Sequence, residues 1–149
     1  MKSALFIALV SVALTTGSGA APAPASFAVP VTIVFPPKAT ARLDAQRRKM
    51  SVSVAYQGVP IASRRREADR EDGTITLGEQ NLEVRATTGG MRIPGGKVDR
   101  QRLAWVKRVD IEVYVTPPTM DLVCPTWDGS LAGAQQRGVI ITCSVINLR

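Results

Sequence analysis

The chain has 149 residues, a formal net charge of +7 and no histidine. The missing histidine excludes serine–histidine–acid, cysteine–histidine and histidine–metal sites, because no imidazole is present to act as a base or a ligand. The composition therefore favours a protein that binds over one that catalyses.

The first 25 residues have the organisation of a secretory signal peptide. Lys2 provides a positive start, residues 4–14 form an apolar run, and small residues follow. The run is shorter than the roughly 20 residues that span a bilayer, which favours a removable signal over an uncleaved membrane anchor. Cleavage after Ala20 and cleavage after Ala25 both fit, so both stay open. We expect an exported protein, periplasmic or secreted, with a single β-rich domain over residues 26–149 and no membrane span in the mature chain.

Beyond the signal peptide, apolar and polar residues alternate with the two-residue period of β-strands. About six strands, one short helix and no helical crossovers predict an all-β protein, built as a small antiparallel β-sandwich or partly closed barrel. The predicted strands cover residues 27–35, 49–57, 74–77, 81–86, 109–116 and 139–146, with a hairpin turn at 78–80, a loop at 89–96 and a short helix within 98–107.

Residue chemistry adds local expectations to this outline. Pro30 cannot donate a hydrogen bond to a neighbouring strand, so the first strand should begin there or lie at a sheet edge. Asp99 is expected to cap the short helix, with Leu103 and Val106 on its inner side. The last strand is apolar on both faces, which is typical of a strand in the centre of a sheet.

The two cysteines, Cys124 and Cys143, are predicted to form a disulfide, the simplest pairing in an exported protein. A metal site would need three or four ligands and a thiol nucleophile would need a base, and no histidine is present for either. Cys143 shares its face of the last strand with Val139, Ile141 and Val145, so the bridge should lie against the core.

A carboxylate pair is the catalytic arrangement that the composition leaves open. Asp110 and Glu112 are two residues apart on one predicted strand and so face the same way. They lie on its polar side, however, where solvated carboxylates ordinarily have no chemical role. The glycines of 89–96 lack the lysine and the strand-to-helix context of a phosphate-binding loop. We therefore expect no enzyme activity, no cofactor, no metal and no small-molecule substrate.

The excess positive charge lies in two connections, residues 38–49 and 97–108, whereas 64–72 holds equal numbers of arginines and acids and is expected to be a mobile, solvated loop. Placed on one side of the domain, the two segments would form a surface for a polyanion such as lipopolysaccharide, anionic lipid or acidic polysaccharide, with Arg102 and Trp105 as a possible stacking pair. The alternative is an ordinary soluble, charged surface. The candidate polyanion-binding residues are Arg42, Arg47, Arg48, Lys49, Arg100, Arg102, Lys107 and Arg108.

Protein–protein binding is the other hypothesis for a small exported β-domain, because such domains often bind through a sheet edge. The proline-bearing first strand is one candidate edge. The loop 126–129, inside the predicted disulfide ring, presents Trp127 as a candidate protein contact. The alternative is that Trp127 folds back over the disulfide.

The overall layout resembles one group of envelope proteins. A signal peptide, a small β-domain, a first strand that ends in Phe35-Pro36-Pro37 and the following segment 50–56 (MSVSVAY) are similar to the small β-sandwich proteins that pilot or chaperone outer-membrane secretion components. The resemblance covers the first half of the mature chain and implies an accessory role in the cell envelope. Those proteins are often lipidated, and this chain has no cysteine near either cleavage site, so no functional residue is carried over. The leading hypothesis is an envelope accessory or assembly factor that binds an unidentified protein, and the alternative is polyanion binding.

Overall fold

The computed structural model describes residues 26–146, so the predicted signal peptide and both cleavage sites lie outside the described residues. None of the described helices is long and apolar enough to cross a bilayer. Two short 3-10 helices, Ala62–Glu67 and Arg102–Trp105, accompany the strands and α-helices. The strands are β1 (Val29–Val34), β2 (Lys49–Pro60), β3 (Ile75–Arg85), β4 (Gly89–Ile93), β5 (Val106–Thr116), β6 (Leu122–Val123), β7 (Trp127–Ser130), β8 (Val139–Thr142) and β9 (Ser144–Val145), and the α-helices are α1 (Pro37–Gln46) and α2 (Leu131–Arg137).

The strands form a three-stranded sheet in the order β4-β1-β8, a four-stranded sheet in the order β3-β2-β5-β7, and a two-stranded ribbon of β6 and β9. Strands β1 and β8 pair in parallel, and the other pairs are antiparallel. The prediction is therefore confirmed as a mostly β chain with several antiparallel sheets and one disulfide. Closure into a single sandwich or barrel stays a prediction.

Helix α1 occupies a segment whose sequence indicates only a charged connection. Pro37 suits the first helical position, because its fixed φ matches the helix and its missing N–H would have had no partner there. Ala39 and Leu43, four residues apart, are buried and attach the helix to the core. Arg47, in the left-handed conformation with φ 48°, ends it. Two buried residues are too few to produce a visible helical period among so many charges.

Helix α2 is a second departure, so residues 26–146 contain two α-helices, whereas the sequence predicts one short helix at another position. The Ser130 side chain caps α2 by accepting a hydrogen bond from the Gly133 amide at 3.1 Å. Leu131 and Ala134 are buried, and Gly138 follows the last helical turn with φ 75°. A helix of seven residues with two buried side chains is too short to show a clear helical period of apolar residues in the sequence.

A single hydrophobic core lies beneath the sheets and helices. The apolar faces predicted for the first strand, for 49–57 and for 109–116 are confirmed, since their alternate residues are buried. Tyr56 is among the largest fully buried side chains, and its hydroxyl donates to the carbonyl oxygen of Phe27 at 2.9 Å. The Phe27 ring packs edge-on against the Tyr56 ring, with 6.2 Å between the ring centres.

Alkaline pH is expected to destabilise the fold through Tyr56. Burial raises the pKa of Tyr56 to about 12, whereas an ordinary tyrosine in the unfolded chain titrates near pH 10. The stability linked to this proton is therefore complete below about pH 10 and is lost as the pH rises towards 12, by an amount on the order of 2 kcal/mol. Urea unfolding of the wild type and of Tyr56→Phe across this pH range is the measurement.

The variant separates this titration from general alkaline unfolding. At neutral pH, Tyr56→Phe should be less stable by about 1 kcal/mol, because the Phe27 carbonyl loses its donor. Above pH 10 the wild type should lose its advantage, because only the wild type has a phenol to titrate at this position. Parallel stability curves for the two proteins would contradict the expectation.

The hairpin turn predicted at 78–80 is wrong, because β3 runs through these residues without a break. The ladder between β2 and β3 shifts register just after Tyr56, which lies opposite Gly78. A Cβ atom on Gly78 would lie only 2.2 Å from the carbonyl oxygen of Lys97, so glycine allows the neighbouring chain to pass close by. Gly78 therefore marks a β-bulge with a close backbone approach, not a turn.

The predicted loop at 89–96 and helix within 98–107 are each correct in part. Strand β4 takes up the first five residues of the loop and pairs with β1. The helix is one 3-10 turn, after which β5 begins at Val106. Asp99 lies before this turn, where its Oδ1 accepts from the amides of Gln101 at 2.9 Å and Arg102 at 3.3 Å. The N-cap position itself, however, is Gln101, whose side chain makes no capping hydrogen bond. Val106 is buried as expected, and Leu103 is half-buried.

The first strand is the central strand of its sheet, so the interpretation of it as an edge is wrong. Pro30 lies near the start of β1, where it pairs with Arg92 of β4. The pairing with β8 begins one residue later, at Val31. The missing donor of Pro30 therefore falls outside the β1–β8 ladder, and a strand with proline near its start can still be central.

The last predicted strand is divided at Cys143, and its placement in the centre of a sheet is wrong. Strand β8 is an edge of the three-stranded sheet, and β9 belongs to the ribbon. Apolar residues on the outer face of β8 are exposed rather than covered, since Ile140 is 63% exposed. The apolar character of both faces is therefore not a sign of two-sided burial.

The predicted disulfide is confirmed, with 2.06 Å between the sulfur atoms of Cys124 and Cys143. Val123 pairs with Ser144, so the two cysteines form the next pair along the ribbon. Cys143 is 2% exposed and lies in the core cluster, as expected for a bridge against the core. Val145, expected on the same inner face, is instead 41% exposed.

Candidate functional site

The structure does not bring the two basic segments together. Residues 38–49 lead through α1 into the start of β2, and residues 97–108 lead into the start of β5. These strands are antiparallel, so Ser51 pairs with Thr116 while Val59 pairs with Arg108. At about 3.3 Å per residue, the two segments are separated by roughly 26 Å along the sheet. A single positive surface built from both segments therefore does not form.

Half of the candidate polyanion-binding residues make ion pairs. These contacts lie on the surface, where each has little effect on stability. The hydrogen bond from Arg42 lowers the pKa of Asp121. The pairs are Arg42–Asp121 (2.7 Å), Lys49–Glu83 (2.5 Å), Arg102–Asp99 (3.2 Å) and Arg108–Asp110 (2.8 Å), whereas Arg47, Arg48, Arg100 and Lys107 make no ion pair within the part of the chain that the structure describes.

The stacking partner of Trp105 is Arg64, not the expected Arg102. The guanidinium carbon of Arg64 lies 4.7 Å from the centre of the indole ring, and the same side chain pairs with Glu67 at 3.0 Å. Arg64 is held there by the 3-10 helix Ala62–Glu67, in a segment whose balanced charges predict a mobile loop. Arg102 donates instead to the carbonyl oxygen of Thr76 at 3.1 Å. Trp105 is therefore covered by a cation of its own chain.

Trp127 lies on strand β7 and not in a loop. It pairs with Val113 of β5, whose side chain is buried, so the indole faces the core side of the sheet. A Cβ atom on Gly129 would lie 2.8 Å from Cη2 of the indole, which shows that the ring lies over this glycine. The side chain is half-buried against its own strand, and part of it is accessible at the sheet edge.

The carboxylates Asp110 and Glu112 lie on the outer face of the four-stranded sheet, where they pair with Ser130 and Asp128 of β7. Asp110 is bound by Arg108, at the border of a shallow depression of about 430 Å³. Within residues 26–146, no group of three acidic or sulfur-bearing side chains is placed to hold a metal ion. This face is a polar sheet surface with both signs of charge.

Exposed large apolar side chains are concentrated in the last third of the described chain. Four of them lie on the ribbon or next to it, and we call this group the apolar ribbon surface. The amide of Ile146 donates to the carbonyl oxygen of Asp121 at 2.7 Å, which brings the two flanks of the ribbon together. The apolar ribbon surface consists of Met120 (95% exposed), Val123 (46%), Val145 (41%) and Ile146 (40%).

The apolar ribbon surface lies beside the basic helix α1. The Arg42–Asp121 ion pair connects α1 to the residue that follows Met120. Arg47 and Arg48, at the C-terminal end of α1, are exposed. We call α1, residues 47–49 and the ribbon together the helix end of the molecule. The charges of the helix end can be predicted from the sequence. Its apolar ribbon surface cannot, because strands of two residues are too short to show an alternation of apolar and polar residues.

A second candidate site is the open edge of β8, which is hydrogen-bonded to β1 on one side only. The amide of Cys143 donates to the carbonyl oxygen of Val34 at 2.8 Å, so it points towards β1. Because backbone groups alternate along a strand, those of Ile140 and Thr142 point away from β1. An exposed apolar side chain thus lies beside backbone groups that face away from the sheet. This is the arrangement that strand addition requires.

Comparison with protein-family models, with curated proteins and with solved structures gives no match to this chain. The functional argument therefore depends on the two surfaces described above.

Proposed function

We propose that this chain is an exported, non-enzymatic accessory or assembly factor of the cell envelope that acts by binding another protein. The observation that carries the proposal is the open edge of β8 with Ile140 63% exposed on it. The disulfide between Cys124 and Cys143 supports the exported location, since such bonds persist in oxidising compartments.

The partner would add an extended segment to β8. The backbone groups of Ile140 and Thr142 that point away from β1 would pair with that segment, and the Ile140 side chain would provide an apolar contact. Natural proteins usually protect such edges with charges, proline or a covering loop. The edge of β3 is protected in this way, because the Asp99 amide donates to the Leu77 carbonyl oxygen at 2.7 Å. Among the described residues no backbone hydrogen bond occupies the outer edge of β8, and β7 is the strand that lies near it.

Ile140→Lys is expected to abolish partner binding with little effect on stability. The lysine places a charge on the edge that a partner strand must approach, a device that natural edge strands use against pairing. Because the side chain at 140 is exposed, the free energy of unfolding should change by no more than about 0.5 kcal/mol. The measurement is photo-crosslinking in intact cells from a photoreactive residue at Thr142, with and without Ile140→Lys.

Thr76 provides the matched control. It is an exposed residue on β3, whose edge is covered, so a photoreactive residue at 76 should give no protein adduct. A single reproducible adduct from 142 that disappears in Ile140→Lys would support strand addition. An adduct that persists in Ile140→Lys, or that forms equally from 76, would contradict it.

Polyanion binding is the second candidate function. The observation that favours it is that Arg47 and Arg48 are exposed, make no ion pair within residues 26–146, and lie at the same end of the sheet as the apolar ribbon surface, since β2 starts where β5 ends. With the two basic segments at opposite ends of the sheet, this candidate is confined to the helix end. High salt separates the two candidates, because it weakens binding through charges far more than pairing at an apolar edge.

A further inference from the structure

We propose that the helix end docks on the surface of an anionic phospholipid bilayer, with the apolar ribbon surface inserted between the headgroups and the cations of α1 against their phosphates. The inference rests on the second candidate function, polyanion binding at the helix end, and deepens it by naming the anionic ligand and by adding an apolar contact. It is independent of strand addition at β8, since Ile140 is not part of the helix end.

The shape of the apolar ribbon surface suits shallow insertion. Met120 is 95% exposed in the turn before β6, so nearly all of its side chain projects from the protein. Val123 lies on one strand of the ribbon, and Ile146 directly follows the other. Val145, by contrast, lies on the opposite face from Val123, where it pairs with the buried Leu122. The Cys124–Cys143 disulfide fixes the base of the ribbon to the core, so these side chains are presented on a rigid support.

The charges around the apolar ribbon surface suit phosphate headgroups. Lys38, Arg47 and Arg48 are exposed and make no ion pair within the described residues. Asp121, the carboxylate nearest to Met120 along the chain, is bound by Arg42 at 2.7 Å and so presents little net negative charge. Cations flanking a short apolar surface are the combination by which proteins bind anionic membrane interfaces.

A lipid surface fits the helix end better than a protein groove does. A stable protein interface buries about 800 Å² on each partner, with a broad apolar centre. Here the exposed apolar part is limited to four side chains on a two-stranded ribbon, bordered by basic residues. Interfacial membrane binding needs no large area, because a shallow apolar contact and a basic border act as two additive signals.

The test is co-sedimentation of the disulfide-bonded protein, purified after export, with lipid vesicles. One set of vesicles contains phosphatidylcholine alone, and the other contains one part phosphatidylglycerol to two parts phosphatidylcholine. We expect the affinity for the anionic vesicles to be at least about tenfold higher, and to fall when the salt concentration is raised above about 0.15 M. Equal binding to both vesicles, or binding to neither, would overturn the proposal.

Variants at the two ends of the molecule locate the contact. Charge reversal by Arg47→Glu with Arg48→Glu should weaken binding to anionic vesicles at least about tenfold. The reason is that each cation near an anionic membrane surface strengthens binding several-fold. The matched control is Arg100→Glu with Lys107→Glu, which changes the net charge equally at the opposite end and should leave the affinity within about twofold of the wild type. Equal losses in both variants would show attraction by net charge alone and would overturn the docking surface.

The apolar contribution has its own variant. Met120→Asp should lower the affinity by about tenfold or more, and Met120→Leu should restore it, because insertion depends on apolar character. Position 120 is an exposed turn, so folding should be unaffected, and circular dichroism verifies this. Ile140→Lys should bind vesicles like the wild type, so that a failure of strand addition and a failure of membrane docking are distinguishable. Vesicle binding unchanged in Met120→Asp would contradict the orientation proposed here.

Discussion

Replacement of both Cys124 and Cys143 by alanine is expected to lower the free energy of unfolding by about 3 kcal/mol. The disulfide closes a short loop of the chain, and in the chain-entropy account its main effect is to restrict the unfolded state. The ribbon it fixes has only two residue pairs, which is too few for a hairpin to be stable alone. Equilibrium urea unfolding of the exported protein measures the change.

Two controls accompany the double replacement. The wild type unfolded in the presence of a reductant should lose a similar amount of stability, because it differs from the variant mainly by two thiol groups. Unreduced wild type should not react with a thiol label at either cysteine. A double variant with unchanged stability would show that the packing around Cys143 stabilises the ribbon without the bond.

Gly78→Ala is expected to lower the free energy of unfolding by about 3 kcal/mol or more. The new Cβ would lie 2.2 Å from the backbone carbonyl oxygen of Lys97, and a backbone atom cannot move aside as a flexible side chain can. The φ of 151° at Gly78 adds strain for an L residue. Thermal or urea unfolding of the purified variant is the measurement.

Two other glycines separate the close contact from the backbone strain. Gly73 has φ 71°, but a Cβ atom added there would meet no other atom within 4 Å, so Gly73→Ala should lose about 1 kcal/mol from strain alone. Gly89 has neither a positive φ nor a neighbour, so Gly89→Ala should be neutral or slightly stabilising. Equal effects at the three positions would mean that the approach of Lys97 to Gly78 is not a constraint.

Sequence periodicity predicts the strands that have one buried face. In β2 and β5 most residues alternate between a buried apolar position and a more exposed one, because water covers the other face of the sheet and selects polar residues there. The exceptions are Ser53, which is buried, and Lys107 and Arg108, which are both exposed. The turn predicted at Gly78 is wrong because a glycine in a strand cannot be distinguished from a glycine in a turn by sequence alone. The feature that requires glycine here is the backbone of Lys97, which passes close to Gly78. Helices α1 and α2 each bury only two residues, so their periods are too short to detect.

For the candidate sites, the sequence predicts the type of residue but not which strands lie next to one another. The charges of α1 are visible in the sequence, and so is the apolar character of Ile140. Two facts about strand pairing cannot be predicted from a local sequence pattern. The first is which strand lies in the middle of the three-stranded sheet, and the second is that β2 and β5 are antiparallel, so that the start of β2 lies beside the end of β5. The open backbone edge beside Ile140 follows from the first of these facts. The separation of the two basic segments follows from the second.

The parallel pairing of β1 with β8 has a consequence for the timing of folding. Strand β1, near the start of the described chain, pairs with β8, near its end, so the three-stranded sheet cannot be completed until β8 is present. Contacts between such distant parts of a chain form slowly, because a long loop must close before any gain is made. In a chain that folds as it is synthesised, the pair of β1 and β4 would therefore lack its neighbour β8 until residues 139–142 are present.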